Sequence, residues 1–282
     1  MSVQPARPFD WDGPNGDRWV VNQARLDRML APFGDALIAA ASVRAGERAL
    51  DIGCGAGAST FDLADQVGAG RVVGLDISRA LLARAEGLAA ERGADVAFRL
   101  ADAATTAFAP EFDLVVSRFG VMFFDQPVPA FANIRTALKP GGRLVFVCWR
   151  GADQNDWTRL PMGAIRDIVP PQPKPAPDAP GPFSFGERAR VQAILEQSGF
   201  VDIDIWPFDH EIVFGAGDTS DAALDDAVAN ALSVGPLERA LKDCDALTVE
   251  RALAAVRDAY GRKLTPEGVV IDGAAWIVTA RA

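Results

Sequence analysis

Residues 48–58 read Arg48-Ala-Leu-Asp-Ile-Gly-Cys-Gly-Ala-Gly-Ala58, a short apolar run that leads directly into three closely spaced glycines. Such a run is typical of a buried strand. The glycines indicate a tight turn in which the backbone approaches a ligand at the beginning of a helix. This spacing also satisfies the dinucleotide pattern G-x-G-x-x-G/A, so the glycines alone leave a dinucleotide site open.

Asp51 distinguishes between these ligands, because it lies two residues before the first glycine at the end of an otherwise apolar strand. Its charge would repel a pyrophosphate and attract an ammonium group. S-adenosylmethionine carries an α-ammonium and a sulfonium, while its carboxylate can accept hydrogen bonds from the N–H groups of the loop. The sequence therefore favours S-adenosylmethionine over NAD(P), although Asp76 lies at a suitable distance for the ribose of either ligand.

Short apolar strands alternate with helical patterns through the first half of the chain, which predicts a parallel sheet covered on both faces. Ser78 is a candidate N-cap for one helix, and Lys139-Pro-Gly-Gly is expected to end another that contains Phe131, Ile134 and Leu138. The predicted strands occupy residues 48–53, 71–76, 96–102, 112–117 and 143–149.

The whole chain, residues 1–282, is predicted to form a single α/β domain. Its parts are an N-terminal helical lid at 1–45, a cofactor-binding half at 46–150, a Pro-rich insertion at 151–183 and a C-terminal half at 184–282 with a helical insertion at 216–262. Ser184-Phe-Gly-Glu187 has the spacing of a capping box that would open a helix.

Composition excludes several classes of function. The net charge of −10 makes nucleic acid a poor partner, and a single His leaves few ligands for a metal site, so no metal is expected. Three separated cysteines fit a reduced, cytoplasmic setting. We find no signal-peptide pattern and no apolar run of the roughly 18 residues that a membrane span needs.

The chain resembles the class I S-adenosylmethionine-dependent methyltransferases, and within them it is similar to the small-molecule branch of the ubiquinone/menaquinone-biosynthesis methyltransferases. The resemblance implies a Rossmann-like, doubly wound sheet of about seven strands, mostly parallel, with an antiparallel last strand at 268–281. The segments that carry it are Ala49-Leu-Asp-Ile-Gly-Cys-Gly-Ala-Gly57, Gly74-Leu-Asp-Ile-Ser78, Ala101-Asp-Ala103, Phe112-Asp-Leu-Val-Val-Ser-Arg-Phe-Gly-Val-Met-Phe-Phe124 and Leu138-Lys-Pro-Gly-Gly-Arg-Leu144.

The resemblance also implies roles for individual residues toward the cofactor. Gly53, Gly55 and Gly57 would shape the loop around the methionine moiety, and Asp51 would attract its ammonium directly or through water. Asp76 would accept the ribose hydroxyls. Ile77 would pack on the adenine, whose amino group would be held by Asp102 beside the Ala103 N–H. Ser117 would lie near the methionine moiety and the acceptor entrance.

A small, partly apolar or aromatic acceptor is expected at the carboxyl ends of the strands, where ligands bind in doubly wound folds. Methyl transfer needs mainly positioning, so the catalytic residues stay unknown, with Arg118 and His210 as weak candidates. The alternatives are a catalytically silent cofactor-binding or regulatory subunit and, more remotely, an NAD(P) oxidoreductase. A homodimer is left open. Candidate acceptor-binding residues are Trp11, Trp19, Arg118, Phe119, Met122, Phe123 and Trp149, and Trp157 is a further aromatic that would cover the site.

Overall fold

The computed structural model of the chain describes residues 9–171, 176 and 178–282. The first eight residues of the expected lid, and residues 172–175 and 177 of the Pro-rich insertion, lie outside the described residues. The described part forms an eight-stranded sheet with helices packed on it. The strands are β1 (Ala49–Ile52), β2 (Val72–Asp76), β3 (Ala97–Leu100), β4 (Phe112–Arg118), β5 (Leu138–Trp149), β6 (Val201–Gly215), β7 (Leu264–Thr265) and β8 (Gly268–Arg281).

The strand order is β3-β2-β1-β4-β5-β8-β6, and the short β7 pairs with β8 beside this path. Strands β1 to β5 pair in parallel, whereas β8 is antiparallel to its three partners β5, β6 and β7. The predicted mostly parallel α/β sheet with an antiparallel last strand is confirmed. The two-residue β7 is an addition that the sequence pattern did not indicate.

Helices precede, connect and follow the strands, and one of them shows the expected cap. The Ser78 hydroxyl accepts a hydrogen bond from the Leu81 N–H at the beginning of α4, as predicted. The helices are α1 (Pro14–Val21), α2 (Gln23–Ala41), α3 (Ala58–Val67), α4 (Arg79–Arg92), α5 (Pro127–Arg135), α6 (Asp156–Ala164), α7 (Arg188–Gln197), α8 (Ser220–Val234), α9 (Leu237–Leu241) and α10 (Ala246–Gly261).

Strands β1 and β2 are buried along their full length, which explains their nearly continuous apolar sequence. Helix α2 packs on β4, β5, β6 and β8, while α5 and α7 pack on each other and on β5 and β6 respectively. Parallel pairing of β1 with β2 and β4 places the carboxyl ends of these three strands side by side, where the glycine loop and Asp76 lie.

Two predictions about element boundaries are wrong. Helix α5 ends at Arg135, and Leu138 already belongs to β5, where it pairs with Phe112. Leu138 lies four residues after Ile134 and so fits a helical pattern. Both residues are buried, but Ile134 lies on a helix and Leu138 on a strand. Ser184 does not cap α7; its hydroxyl donates to the Met122 carbonyl at 2.7 Å, and the N-cap residue of that helix is Glu187, without a side-chain bond.

Arg143 on β5 fixes the turn that connects α2 to β1. Its guanidinium makes two hydrogen bonds of 2.8 Å to the Glu47 carboxylate and donates to the carbonyls of Ala41 at 2.7 Å and Ser42 at 3.1 Å. The pKa of the Glu47 carboxyl is lowered, and the hydrogen bond from Arg143 is the largest cause of this shift. Because both side chains are largely buried, the pair is well shielded from solvent.

We predict that Arg143→Ala lowers the free energy of unfolding by about 2–4 kcal/mol, because one carboxylate and two carbonyls lose their partner. Urea denaturation followed by circular dichroism measures this loss. Arg71→Ala is the matched control, since exposed Arg71 makes one bond to the nearby Gly46 carbonyl. The control should change stability by no more than about 0.5 kcal/mol. Equal effects of the two substitutions would contradict this account of Arg143.

Candidate active site

A cavity of about 590 Å³ opens at the carboxyl ends of β1, β2 and β4. The glycine loop after β1 lines one part of it, together with Asp76, Ile77, Asp102 and Ala103. Helices α1 and α2 contribute further lining residues. Its volume lies within the range of roughly 300–1,000 Å³ that is usual for ligand pockets.

The glycines of the loop serve different purposes, although all three adopt left-handed φ values. An added Cβ at Gly53 would lie 2.8 Å from the Gly120 Cα, and one at Gly57 would lie 2.9 Å from the Phe61 ring. At Gly55, by contrast, an added Cβ would meet no heavy atom within 4 Å. Packing within the protein therefore requires glycine at the outer two positions, whereas Gly55 leaves its backbone open to a ligand.

Asp51 is fully enclosed and lies behind the cavity wall. Its Oδ2 accepts hydrogen bonds from the hydroxyls of Ser59 at 2.8 Å and Thr60 at 2.7 Å, while Oδ1 has no partner. Burial raises the pKa of this carboxyl to about 6, against the opposing effects of the two hydroxyls and the Arg118 charge. Since Ser59 lines the cavity, Asp51 acts on it through Ser59 and its electrostatic field rather than by contact.

Asp76 joins the loop to the beginning of α4. Its Oδ2 accepts from the Gly55 N–H at 2.8 Å, and its Oδ1 accepts from the Ser78 N–H at 2.9 Å. Burial raises the pKa of Asp76, and these backbone N–H groups oppose the shift. Each carboxylate oxygen retains a second lone pair. Asp76 therefore orients the loop and still offers two acceptors at the cavity.

Asp102 lies in the turn after β3, and its Oδ1 accepts from the Ala104 N–H at 2.8 Å. Asn133 on α5 fixes the same turn, because its side-chain amide donates to the carbonyls of Ala103 at 2.8 Å and Thr106 at 2.9 Å. The sequence reasoning did not identify Asn133. Its place in a helix carries no sign that it supports a turn some 30 residues earlier in the chain.

Ser117 lies beneath the cavity wall and not in it. The residue is fully buried and outside the cavity lining. Its hydroxyl donates to the Ile52 carbonyl at 2.7 Å and accepts from the Gly120 N–H at 3.2 Å. Ser117 therefore connects the ends of β4 and β1 beneath the loop, close to the cavity but outside its lining.

Aromatic side chains line the remainder of the cavity, as the sequence suggested for this end of the sheet. Near the N-terminal segment, Trp11 lies edge-on to Trp19 and Phe123, with ring centroids 5.4 and 5.0 Å apart. After β4 and β5, Phe119 stacks on Trp149 with centroids 4.2 Å apart. Phe119 adopts a φ of 60°, which is strained for a large side chain and is typical of functional sites.

Met122, a further predicted acceptor-binding residue, lines the cavity and is held by several backbone contacts. Its sulfur accepts from the Trp149 N–H at 3.4 Å, and its carbonyl accepts from the Gly181 N–H at 3.1 Å as well as from the Ser184 hydroxyl. These contacts attach the end of the Pro-rich insertion to the cavity wall. The position of this wall therefore depends on the insertion.

The two weak catalytic candidates occupy different environments. Arg118 lines the cavity and is mostly buried, with its nearest carboxylate, Asp27, at 3.5 Å. His210 lies exposed on β6, an edge strand, with its Nδ1 2.7 Å from the Glu211 carbonyl oxygen. It does not line the cavity, so the structure removes His210 from the candidate site and retains Arg118.

The sequence reasoning left open whether the helical insertion forms an extra lid or a dimer surface, and it named none of the residues with which this segment borders the cavity. Its placement depends on distant contacts, including those of Arg18 with Glu238 and of Arg25 with Asp226. No local motif reports such contacts. The lining residues from this segment are Ser233, Val234, Gly235, Glu238 and Arg239.

Other kinds of site receive no support within the described residues. Among them, no group of three or more His, Cys, Asp or Glu side chains is arranged to hold a metal ion. No described helix has both the length and the hydropathy to cross a membrane. All three cysteines are free, two of them buried.

Because the pKa of Asp51 is raised, we predict that the free energy of unfolding of the ligand-free protein falls as the pH rises. Below about pH 4 the carboxyl is protonated in both states, so it costs no stability there. Between about pH 4 and pH 6 the carboxyl ionises in the unfolded chain but stays protonated in the folded protein, which loses about 3 kcal/mol of stability over this range, at 1.36 kcal/mol per pH unit.

Asp51→Asn removes this penalty. Its stability relative to the wild type should rise by about 2 kcal/mol between about pH 4 and pH 7, as measured by urea denaturation at both pH values. The control is Asp65→Asn, an exposed position on the same helix as Ser59 and Thr60, which should follow the wild type at both pH values. If Asp51→Asn and the wild type differed in unfolding free energy by the same amount at both pH values, the raised pKa of Asp51 would be contradicted.

Comparisons with known proteins agree with this geometry. Residues 49–142 match the family model of a methyltransferase domain. Aklanonic acid methyltransferase DauC from Streptomyces sp. strain C5 is 36% identical over 146 residues, which cover 51% of this chain and 64% of that protein. Nocamycin O-methyltransferase from Saccharothrix syringae is 32% identical over 183 residues, which cover 61% of this chain and 65% of that protein.

The fold is also found among solved structures. Phosphoethanolamine N-methyltransferase 2 from Haemonchus contortus, solved in complex with S-adenosyl-L-methionine, matches with a TM-score of 0.54 at 17% identity. The match covers 95% of this chain and 60% of that one. The chain spans a little less than two thirds of the length of the two sequence relatives. Residues 49–142 therefore match a methyltransferase domain, and the loop, the strand order and the cavity agree with this match.

Proposed function

We propose that the protein transfers a methyl group from S-adenosylmethionine to an O, N, S or C atom of a small, flat and largely apolar acceptor. The observation that supports this most directly is that the open Gly55 backbone, Asp76 and Asp102 border the same cavity as the stacked Phe119 and Trp149 rings. Two relatives named for aklanonic acid and nocamycin agree with a small-molecule acceptor.

The residues present fit this cofactor. The Asp51 Oδ1 has no partner within the protein, and its negative field would be balanced by an α-ammonium held at the wall in front of it. The open approach at Gly55 gives the cofactor carboxylate access to the N–H groups of the loop. Asp76 would accept the ribose hydroxyls with its remaining lone pairs.

The adenine would lie between the turns after β2 and β3. Ile77 borders the cavity and would pack on one face of the ring, while Asp102 would accept the amino group beside the Ala103 N–H. Asn133 would keep this turn in position through its bonds to Ala103 and Thr106. Ser117 would support the cofactor site indirectly, because it holds the end of β4 against β1.

When bound, S-adenosylmethionine supplies a methyl group on a positively charged sulfur. The aromatic walls would orient a flat acceptor and exclude water, and for an in-line displacement such positioning supplies much of the rate. Arg118 would hold a negative charge on the acceptor or balance the carboxylates around it. A cytoplasmic location and a homodimer are retained as parts of this proposal, with the free cysteines in favour of a reducing setting.

Calorimetric titration with S-adenosylhomocysteine tests the cofactor assignment. We expect Gly55→Ala to weaken binding at least about tenfold, or roughly 1.4 kcal/mol, because the new methyl group enters the cavity. Gly46→Ala is the matched control: Gly46 also has a positive φ and no neighbour within 4 Å of an added Cβ, but it lies away from the cavity.

Both substitutions should cost similar folding stability, about 1–2 kcal/mol, through backbone strain. Only Gly55→Ala should change binding. Absence of binding by the wild-type protein would overturn the cofactor assignment, and equal weakening by both variants would remove the role given to Gly55.

Turnover needs a separate measurement, since a cofactor-binding protein can be catalytically silent. We expect single-turnover experiments with methyl-labelled S-adenosylmethionine to move the label into at least one member of a panel of phenolic and quinone-like acceptors. Reactions without acceptor are the control. If the cofactor binds but no acceptor is labelled across the panel, a cofactor-binding regulatory subunit becomes the better reading.

A further inference from the structure

Arg118, at the end of β4, is a mostly buried arginine whose guanidinium makes little use of its hydrogen-bonding capacity. Its side chain is 14% exposed, and its nearest carboxylate is that of Asp27, with the Arg118 Nη2 3.5 Å from the Asp27 Oδ1. This distance lies at the outer limit of a hydrogen bond. Because a guanidinium carries five N–H donors in a planar fork, most of the donors of Arg118 remain available for another partner.

Arg143 on the neighbouring strand β5 shows how such a residue is paired elsewhere in the protein. Its side chain is also 14% exposed, but its guanidinium makes two hydrogen bonds of 2.8 Å to the Glu47 carboxylate and donates to two carbonyls. Burial alone therefore does not explain the single long contact of Arg118. The two arginines differ in that Arg118 lines the cavity and Arg143 does not.

The unpaired nitrogens of Arg118 are accessible. Its Nε and Nη1 make no hydrogen bond to any described residue, yet neither belongs to the fully buried side-chain atoms that lack a partner. Both nitrogens therefore retain surface that another group can reach. The charged end of Arg118 lies at the cavity wall, because the Asp27 carboxylate that it contacts belongs to a residue that lines the same cavity.

Arg118 also lies next to the part of the cavity proposed to hold the methionine moiety. It directly follows Ser117, whose hydroxyl bonds to the end of β1 before the glycine loop. Two residues later, Gly120 packs closely against Gly53 of that loop. The charges of Arg118 and Asp51 are near enough to influence each other. An anion bound to Arg118 would therefore lie close to a sulfonium held by the loop.

Three carboxyl groups act on Arg118 from the elements around it. Asp27 lies on α2, Asp51 on β1 and Asp62 on α3. Asp51 and Asp62 influence it through their charges and form no hydrogen bond with it. Asp27 is the group in contact, and its side chain is 40% exposed. A ligand anion would thus compete mainly with Asp27, whose long contact is weak.

The cavity lining offers carboxylates but no nitrogen base. Its described residues include no His, Lys or Tyr, and burial raises the pKa of the Cys54 thiol, so this thiol is a poor substitute. A phenol or alcohol would have to lose its proton to a carboxylate, which is a weak base. A carboxylic acid is already ionised at neutral pH. This lining therefore favours an acceptor that enters the cavity as an anion.

We propose that the methyl acceptor reacts through a carboxylate and that Arg118 binds this carboxylate beside the methyl group to be transferred. One carboxylate oxygen forms a bond to the methyl carbon while the bond from that carbon to sulfur breaks and leaves its electron pair on sulfur. The products are a methyl ester and S-adenosylhomocysteine, and no proton is transferred. This inference rests on the proposed function and names the reacting group that the proposed function left open.

Binding is tested with naphthoic acid and an anthraquinone carboxylic acid, each beside its primary amide, which has nearly the same shape but no charge. Each probe is titrated by calorimetry into protein saturated with S-adenosylhomocysteine. We expect at least one acid to bind the wild type at least about tenfold more tightly than its amide, because charge-assisted hydrogen bonds are the stronger ones. In Arg118→Gln this preference should fall to about threefold or less.

Two matched variants separate a specific contact from a general effect of charge. Asp27→Asn removes the carboxylate that competes for Arg118, so the acid preference should stay or increase. Arg239 on α9 also lines the cavity, but it is exposed and lies 5.8 Å from the centre of the Phe9 ring. Arg239→Gln should therefore keep the preference within about twofold, because the field of an exposed charge is screened.

Single-turnover reactions with methyl-labelled S-adenosylmethionine identify the bond that forms. The label should enter the acid that binds as a methyl ester, which releases labelled methanol in dilute alkali, whereas methyl groups on ether oxygen, nitrogen or carbon stay attached. Asp27→Asn should keep the rate within about threefold, because a carboxylate acceptor needs no base; loss of a general base would lower the rate at least about a hundredfold.

This inference would be overturned by a wild type without acid preference, by failure of both acids to bind, by equal losses in Arg118→Gln and Arg239→Gln, or by label that is absent from the acids or stable to alkali. A failure of the proposed function differs, since it would appear first as the absence of S-adenosylhomocysteine binding. Thermal unfolding checks the folding of Arg118→Gln. If this variant does not fold, the wild-type preference, the ester and Asp27→Asn still decide the inference.

Discussion

The incompletely paired carboxylate of Asp51 is the constraint on which the site depends. It lies at the end of a fully buried strand, where two hydroxyls from the beginning of α3 stabilise one of its oxygens and leave the other without a partner. A buried charge held in this way lowers the stability of the ligand-free fold and at the same time creates a negative field behind the glycine loop. A cation that binds in front of the loop would offset part of this loss.

Hydrogen bonds and backbone packing around the glycine loop hold the loop in front of the Asp51 carboxylate. Asp76 links the Gly55 N–H to the beginning of α4, and Ser117 links the end of β4 to the Ile52 carbonyl. Close approach between Gly53 and Gly120 leaves no space for a side chain at either position. Three neighbouring strand ends are therefore connected by short hydrogen bonds and direct backbone packing, and a ligand meets a preformed surface that needs little rearrangement.

The sequence predicted features that are determined locally. The glycine loop, the strand ends at Asp76 and Asp102 and the Ser78 cap follow from residue type and spacing over a few positions. The predictions failed where a distant partner decides the outcome. Ser184 has the spacing of a capping residue, yet its hydroxyl bonds to Met122, some 60 residues earlier in the chain. The Ser117 hydroxyl likewise bonds to a neighbouring strand. The lining residues of the helical insertion were not named for the same reason, since only tertiary contacts bring that segment over the sheet.

The two halves of the cavity differ in the same way: one is determined mainly by local sequence and the other by contacts between distant parts of the chain. The glycine-loop half consists of strand ends and backbone groups, so any sequence that maintains the sheet and loop can reproduce it, and proteins with this fold can share it at low sequence identity. The other half combines Trp149 at the end of β5 with Trp157, which the insertion supplies and which lies beside the attachment of Asn155 to β8. Changes in the insertion can alter this half without disturbing Asp51 or Asp76. Acceptor specificity is therefore free to diverge while the glycine-loop half stays constant.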